Sequence, residues 1–166
     1  IKLGKSFNNL SIINEKILVG ASILDVNFSK FAYNNSISNF EFYSGIPGTI
    51  GGAVKMNAGC FGNETKDFLN KVNIITKDMK TKTIYKKDLN LTYRNSNLLD
   101  EIVTSAEFNI EYGEKKKILE KINEIKNTRN ATQPIKNKTS GSTFKNPKGF
   151  HAAKLIEDAG CKGMQF

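Results

Sequence analysis

The feature that most restricts the fold of this 166-residue chain is the glycine-rich segment SGIPGTIGGAVKMNAGCFGN at residues 44–63. It holds six glycines and one proline, and its apolar residues follow neither a helical nor a strand period. Six missing side chains let backbone N–H groups approach an anionic ligand and permit positive φ angles. A pyrophosphate would suit such a backbone, although a tight turn packed between two sheets also explains the glycine content.

The segment matches neither of the two common phosphate-binding motifs. No Gly-Lys-Ser/Thr follows the glycines, as a phosphate-binding loop requires, and no GxG occurs in the segment. The sequence therefore disfavours a phosphate-loop nucleotide enzyme and a dinucleotide-binding fold of the GxGxxG type.

The regions around the segment predict strands first and helices later. KILVGAS at 16–22 predicts a buried strand ending at Gly20, and a helix follows as far as residues 34–36. KVNIIT at 71–76 and KTIYKK at 82–87 predict a hairpin, and residues 101–112 predict a further strand. The first helix carries its apolar residues at helical spacing, namely Leu24, Phe28, Phe31 and Ala32.

Beyond Gly113 the pattern changes to that of helices. Residues 113–130 form a Lys/Glu-rich stretch with one apolar stripe, made of Ile118, Leu119, Ile122 and Ile125. A polar loop at 131–149 precedes a last helix, 151–159, which closes at Gly160. We therefore predict an α+β fold with one domain at residues 1–112 and a second at 113–166.

Composition narrows the class of function. The formal charge is +9, but only two of the 25 basic residues are arginine, which disfavours nucleic-acid binding. No apolar stretch is long enough to span a membrane and no secretion signal is present, so we expect a cytoplasmic protein without a membrane partner. One histidine and two distant cysteines predict neither a metal site nor a disulfide.

Two short motifs carry candidate chemistry. Arg94 lies in Tyr93-Arg94-Asn95-Ser96, and a guanidinium kept in a chain that otherwise uses lysine indicates a need for its planar fork of donors. Ser142 lies in GSTFKNP at 141–147. A serine hydroxyl there is most often a turn or capping group, but it can also protonate a carbanion as a general acid.

Taken in order, GIPGTIGGAVKMNAG, YRNS, GSTFKNP and the helix HAAKLIEDAGCKG resemble the UDP-N-acetylenolpyruvoylglucosamine reductase family. The resemblance implies part of an FAD-binding domain of the vanillyl-alcohol-oxidase type at 1–112, followed by the start of an α/β substrate-binding domain. It also implies FAD as cofactor, NADPH as co-substrate and a UDP-sugar enolpyruvate as substrate, in the synthesis of UDP-N-acetylmuramate for peptidoglycan.

The resemblance assigns roles to individual residues. Arg94 would stabilise charge on the substrate carboxylate and Ser142 would protonate the substrate Cα, while Tyr93, Lys145 and Asn146 would contact the substrate. The expected FAD contacts are Ile46, Pro47, Gly48, Thr49, Gly51, Gly52, Ala53, Asn57 and Gly59.

The resemblance also implies that the sequence is a piece of the family protein. The family's GxGSN-type loop and its late catalytic glutamate have no counterpart between residues 1 and 166. Three alternatives remain at this stage: another FAD-linked oxidoreductase of the same superfamily, an inactive remnant, and a lysine-rich binding protein.

Overall fold

The computed structural model describes residues 3–132 and 143–164. The chain divides into two compact units, Ile1–Pro134 and Ile135–Phe166. The larger unit contains the sheet and most of the helices, and within the described part of the smaller unit there is one helix, Ala152–Asp158.

The strands of the larger unit are β1 Leu10–Ile13, β2 Lys16–Gly20, β3 Gly59–Cys60, β4 Asn63–Glu64, β5 Leu69–Ile75, β6 Thr81–Tyr85 and β7 Ile102–Asn109. Five of them form a central antiparallel sheet with the strand order β1-β2-β7-β5-β6. The short strands β3 and β4 pair as a separate small hairpin.

Helices cover the sheet and connect its strands. Short 3₁₀ segments occur at Lys5–Phe7, Glu41–Gly45 and Lys86–Asp88. The α-helices are α1 Asp25–Asn34, α2 Ile50–Lys55, α3 Thr65–Phe68, α4 Lys115–Thr132 and α5 Ala152–Asp158.

Strand β7 is the central strand, and its buried positions do not alternate strictly. Val103, Ala106 and Phe108 face the core, so the spacing is three residues and then two. The register between β5 and β7 shifts where Asn73 pairs with Ser105 and the next residue pairs with Val103. Beyond this irregularity, the positions of β7 that face the core are displaced by one residue. This displacement explains the mixed apolar and polar pattern of the sequence.

Aromatic side chains fill the space between α1, the sheet and the 3₁₀ segment Glu41–Gly45. Phe28 of α1 lies with its ring centroid 4.9 Å from that of Phe40 and 5.2 Å from those of Tyr43 and Phe108. Burial of these large rings supplies much of the hydrophobic stabilisation of this unit. The 3₁₀ segment that leads into the glycine-rich stretch is thereby fixed to the core.

Helix α4 uses the apolar stripe that the sequence predicts. Ile118, Ile122 and Ile125 are buried, whereas Leu119 is 40% exposed. The helix packs against α1 and the segment Glu41–Gly45, so it belongs to the larger compact unit. The predicted division into an FAD-binding domain at 1–112 and a substrate-binding domain at 113–166 stays a prediction.

The antiparallel sheet with its helices confirms the α+β prediction at that level, and the predicted strands and helices all occur within about three residues of their expected ends. Besides the 3₁₀ segments, five elements are additional, and three of them are the short pieces β3, β4 and α3. Sequence periodicity missed strand β1, and helix α2 occupies part of the segment expected to be irregular. Among the residues that the structure describes, no helix is both long and apolar enough to cross a membrane.

Candidate functional site

The glycine-rich segment packs its first half directly on the end of strand β2. The N–H groups of Ile50 and Gly51 donate to the carbonyl oxygens of Ile23 and Ala21, each at 3.0 Å. A Cβ on Gly51 would lie 3.0 Å from the Cβ of Ala21. These two N–H groups are therefore bound within the protein, and Gly51 is required for the close approach of α2 to the strand.

Next to this contact lies a cavity of about 580 Å³. A Cβ on Gly52 would meet only the Thr49 hydroxyl oxygen, at 3.9 Å, so it would project into open space. The cavity is lined by Thr49, Gly51 and Gly52 from the glycine-rich segment, together with Leu3, Ala21, Ser22, Leu24, Lys55, Glu101, Ile102 and Val103. Three of the nine predicted FAD contacts therefore lie at one cavity.

The other glycines serve packing more than backbone conformation. Of the six, only Gly62 has a positive φ, at 86°. A Cβ on Gly59 would lie 2.4 Å from the carbonyl oxygen of Asn63, and one on Gly45 would lie 2.9 Å from the Ile125 methyl group. The expectation that these glycines permit positive φ is thus wrong for five of them. Close approach of neighbouring atoms leaves little room for a side chain at four of these, Gly45, Gly48, Gly51 and Gly59, whereas Gly52 borders the open cavity.

Of the six remaining predicted FAD contacts, four adjoin these residues in sequence, whereas Asn57 and Gly59 lie beyond α2. Pro47 and Gly48 are exposed, Ile46 is half-buried and Ala53 is buried. Beneath Gly48 lies the buried carboxyl of Asp25, with one oxygen 2.9 Å from the position of a Cβ on Gly48. Neither Asp25 oxygen has a hydrogen-bond partner in the described part of the chain, and burial raises the pKa of this carboxyl to about 7.

Asn57 lies two residues beyond the end of α2 and joins three segments through its side chain. Its amide nitrogen donates to the Glu64 carboxylate at 3.0 Å and to the carbonyl oxygen of Thr92 at 3.1 Å. Its amide oxygen accepts the N–H of Lys66 at 2.9 Å. The residue is 1% exposed and has a φ of 41°, a conformation that asparagine tolerates better than most residues.

The YRNS motif forms a tight turn whose two ends are bound to the glycine-rich segment. Thr92 and Asn95 exchange two backbone hydrogen bonds, of 3.1 and 3.2 Å, and Arg94 between them has a φ of 53°. At the far end, the Ser96 hydroxyl donates to the carbonyl oxygen of Lys55, the last residue of α2, at 2.7 Å. The structure thus brings the first two sequence motifs together.

Arg94 is half-buried and adds positive charge near Glu64 and Cys60. The pKa of Glu64 is lowered chiefly by its hydrogen bond to Lys66, with a smaller contribution from the Arg94 charge. Burial raises the pKa of the Cys60 thiol to about 11, although the charges of Arg129 and Arg94 oppose the shift.

Arg129, the second of the two arginines, comes from α4 and also reaches the glycine-rich segment. Its guanidinium donates to the carbonyl oxygen of Gly45, at the start of that segment. Sequence reasoning missed Arg129 and Glu64 as members of this region. The scarcity of arginine was a usable signal for Arg129, but it was applied only to Arg94.

The third motif belongs to the smaller unit. Ser142 lies outside the described residues, and Lys145 is exposed. The Asn146 side-chain oxygen accepts the N–H of Ala152 at 3.0 Å and so caps the first turn of α5. No cluster of three His, Cys, Asp or Glu side chains suited to a metal ion occurs between residues 3 and 132 or between 143 and 164.

Comparison with known proteins identifies relatives over nearly the whole chain. Residues 133–166 match the model of the UDP-N-acetylenolpyruvoylglucosamine reductase C-terminal domain. The UDP-N-acetylenolpyruvoylglucosamine reductase of Rickettsia felis is 45% identical over 166 residues, and that of Rickettsia conorii is 44% identical over the same length. Each alignment covers 99% of this chain and 56% of the relative.

A solved structure agrees with these relatives. The crystal structure of UDP-N-acetylenolpyruvylglucosamine reductase from Thermus caldophilus superposes with a TM-score of 0.86 at 34% identity. The alignment covers 96% of this chain and 58% of that one. The chain therefore spans a little over half the length of these relatives, and over that part it is similar to UDP-N-acetylenolpyruvoylglucosamine reductases.

Proposed function

We propose that this chain contributes part of the active site of an FAD-dependent, NADPH-using reductase that converts UDP-N-acetylglucosamine enolpyruvate to UDP-N-acetylmuramate for peptidoglycan. The observation that carries the proposal is the contact between the glycine-rich segment and the Arg94 turn, in a chain 45% identical to a reductase of that name. A cytoplasmic location, an FAD-binding domain of the vanillyl-alcohol-oxidase type and the absence of nucleic-acid partners remain predictions.

The cavity beside α2 fits a large, partly anionic group such as FAD. The position where a Gly52 side chain would stand is open, while Thr49 supplies a hydroxyl and Lys55 a positive charge. Thr49, Gly51 and Gly52 would hold the cofactor there, and contacts from Ile46, Pro47, Gly48, Ala53, Asn57 and Gly59 remain predictions. When bound, FAD would supply hydride transfer to the enolpyruvyl Cβ.

The chain's own residues would bind the substrate, stabilise the negative charge that develops on it and donate a proton to it. The Arg94 guanidinium would pair with the enolpyruvyl carboxylate and stabilise the negative charge that develops on it. Ser142 would donate its hydroxyl proton to the substrate Cα. Tyr93, Lys145 and Asn146 would orient the UDP-sugar.

The test is a pair of half-reactions on the complete gene product in the absence of oxygen. We expect the protein to take up FAD, NADPH to bleach the flavin absorbance, and UDP-N-acetylglucosamine enolpyruvate to restore it. Reoxidation by this substrate but not by UDP-N-acetylglucosamine would support the proposal. Reduction by NADPH without reoxidation by the enolpyruvyl substrate would point to another FAD-linked oxidoreductase and would overturn it.

A further inference from the structure

We propose that Asn57 is a positioning residue for Arg94, and that it acts through the carbonyl oxygen of Thr92. The inference rests on the proposed reductase function, but it concerns a link between two segments that the half-reactions alone do not reveal. It also changes the role expected for Asn57, whose side chain would serve the substrate half of the site instead of contacting FAD.

The Asn57 side chain has no donor left for a ligand. An asparagine amide has two N–H groups, and these are bound to Glu64 at 3.0 Å and to Thr92 at 3.1 Å. The orientation of the amide is fixed, because exchange of its oxygen and nitrogen would place N–H groups of Asn57 and Lys66 against each other. A buried amide in this state stabilises its neighbours and has no N–H group to donate to a cofactor.

Asn57 binds the turn that carries Arg94. The carbonyl of Thr92 begins the turn that carries Tyr93 and Arg94, and Arg94 has a φ of 53°. An arginine in the left-handed region is uncommon and persists only where its surroundings impose it. Here the turn is bound at one end by Asn57 and at the other by Ser96, which donates to Lys55 at 2.7 Å.

Both anchors of the Arg94 turn come from the same part of the chain. Lys55 ends α2 and Asn57 lies two residues later, so one short stretch of the glycine-rich segment holds both ends of the Arg94 turn. Three consecutive residues, 55–57, therefore fix the position of the Arg94 guanidinium relative to the expected cofactor site. Because charge stabilisation depends steeply on distance and direction, a turn released at Thr92 would misplace the guanidinium.

The test uses Asn57→Gly, since glycine accepts the positive φ and removes only the side chain. Asn39→Gly is the matched control. Asn39 is also an asparagine with positive φ, at 74°, and it also donates to a glutamate, Glu111 at 2.9 Å, but away from the Arg94 turn. If Asn57→Gly fails to fold, Asn57→Asp keeps the acceptor for Lys66 and removes the donor to Thr92.

In the complete gene product, Asn57→Gly should slow substrate-driven reoxidation of the flavin by about 10-fold or more at saturating substrate. The dissociation constant of FAD should stay within about threefold of that of the Asn39→Gly control, and NADPH should still reduce the flavin. Arg94→Ala should then add much less in the Asn57→Gly background than it does alone, because the two residues act as one unit.

A second measurement needs neither cofactor nor substrate. Trypsin cleaves after arginine, and Asn57→Gly should raise cleavage after Arg94 by about threefold or more relative to cleavage after Lys77, which is exposed in the β5–β6 turn. An unchanged ratio would overturn the inference, even if the reductase proposal itself fails. Weak FAD binding with normal reoxidation once FAD is saturating would also overturn it and would restore the flavin-contact role.

Discussion

The hydroxyl of Ser96 donates a 2.7 Å hydrogen bond to the carbonyl oxygen of Lys55, across 41 residues of sequence. That carbonyl belongs to the last turn of α2, where the helix supplies no partner of its own. Ser96 is 4% exposed, and its hydroxyl oxygen lies 3.4 Å from the N–H of Leu98 as well. One small side chain therefore closes the end of α2 and fixes the exit from the Arg94 turn.

Ser96→Ala should lower the free energy of unfolding by about 1–2 kcal/mol, because the part-buried Lys55 carbonyl would lose its donor. Reoxidation of the flavin by substrate should slow as well. The control is Ser38→Ala, which removes a 3.1 Å hydrogen bond from a hydroxyl to the carbonyl oxygen of Glu111 on a more exposed part of the unit. Urea unfolding of both variants checks the prediction, and equal losses would contradict it.

Arg94→Ala should reduce the substrate-driven half-reaction by about 100-fold or more, since it removes the charge expected to face the substrate carboxylate. Arg94→Lys should recover only part of the rate, because lysine keeps the charge but lacks the fork of donors. Lys77→Ala is the control for loss of a positive charge elsewhere. Stopped-flow absorbance of the flavin measures both half-reactions, and a loss confined to reduction by NADPH would contradict the assignment.

Ser142→Ala should leave reduction of FAD by NADPH intact and abolish reoxidation by the enolpyruvyl substrate. The reason is chemical: alanine has no proton to give to the substrate Cα. Ser140→Ala tests a neighbouring hydroxyl in the same way. If the Ser142 variant is reoxidised at the original rate, another group is the acid.

Gly51→Ala and Gly52→Ala should separate packing from cofactor binding. At Gly51 a methyl group would lie 3.0 Å from the Cβ of Ala21, and we expect a loss of about 1–3 kcal/mol in the free energy of unfolding. At Gly52 the methyl group would enter the cavity, so stability should hold or rise while FAD binding weakens. Thermal unfolding and flavin titration distinguish the two, and weakened FAD binding in Gly51→Ala alone would contradict the assignment.

Asp25 should make stability fall as pH rises. Its pKa is about 7 in the folded chain against 3.8 as the ordinary value, so between these values the folded protein holds a proton that the unfolded chain releases. The free energy of unfolding should therefore drop from pH 4 to pH 7, by up to about 4 kcal/mol if no other group compensates.

An asparagine side chain cannot ionise, so Asp25→Asn should remove the slope and give the more stable protein above pH 7. Denaturant unfolding at pH 4, 5.5, 7 and 8 measures both proteins. A parent protein whose stability rises over this range, or an Asp25→Asn variant with the same slope, would contradict the prediction.

Much of the fold could be predicted because its strands and helices carry strong periodic signals. The stripe of Ile118, Ile122 and Ile125 and the strand at 16–20 are local patterns that packing then uses. The helix at Ile50–Lys55 could not be predicted in this way, since its two glycines disfavour a helix until Gly51 packs against Ala21. Tertiary contact overrides local propensity at that point.

The candidate site was predicted as a set of residues but not as an arrangement. The motifs identified Arg94 and the glycine-rich segment, yet nothing local indicates that Asn57 reaches Thr92 or that Arg129 reaches Gly45. These bonds join residues 35 and 84 positions apart, so only the folded chain specifies them.

The hairpin formed by β5 and β6 lies in sequence between the two motifs that meet in the site, and its turn at residues 76–80 takes part in neither of the hydrogen bonds by which Asn57 and Ser96 join them. Met79 in that turn is 79% exposed. Because Asn57 and Ser96 join the motifs directly, the length of the intervening hairpin is free to vary. The turn at Met79 is therefore the place to insert a peptide tag or a fluorophore for labelling the protein without altering its chemistry.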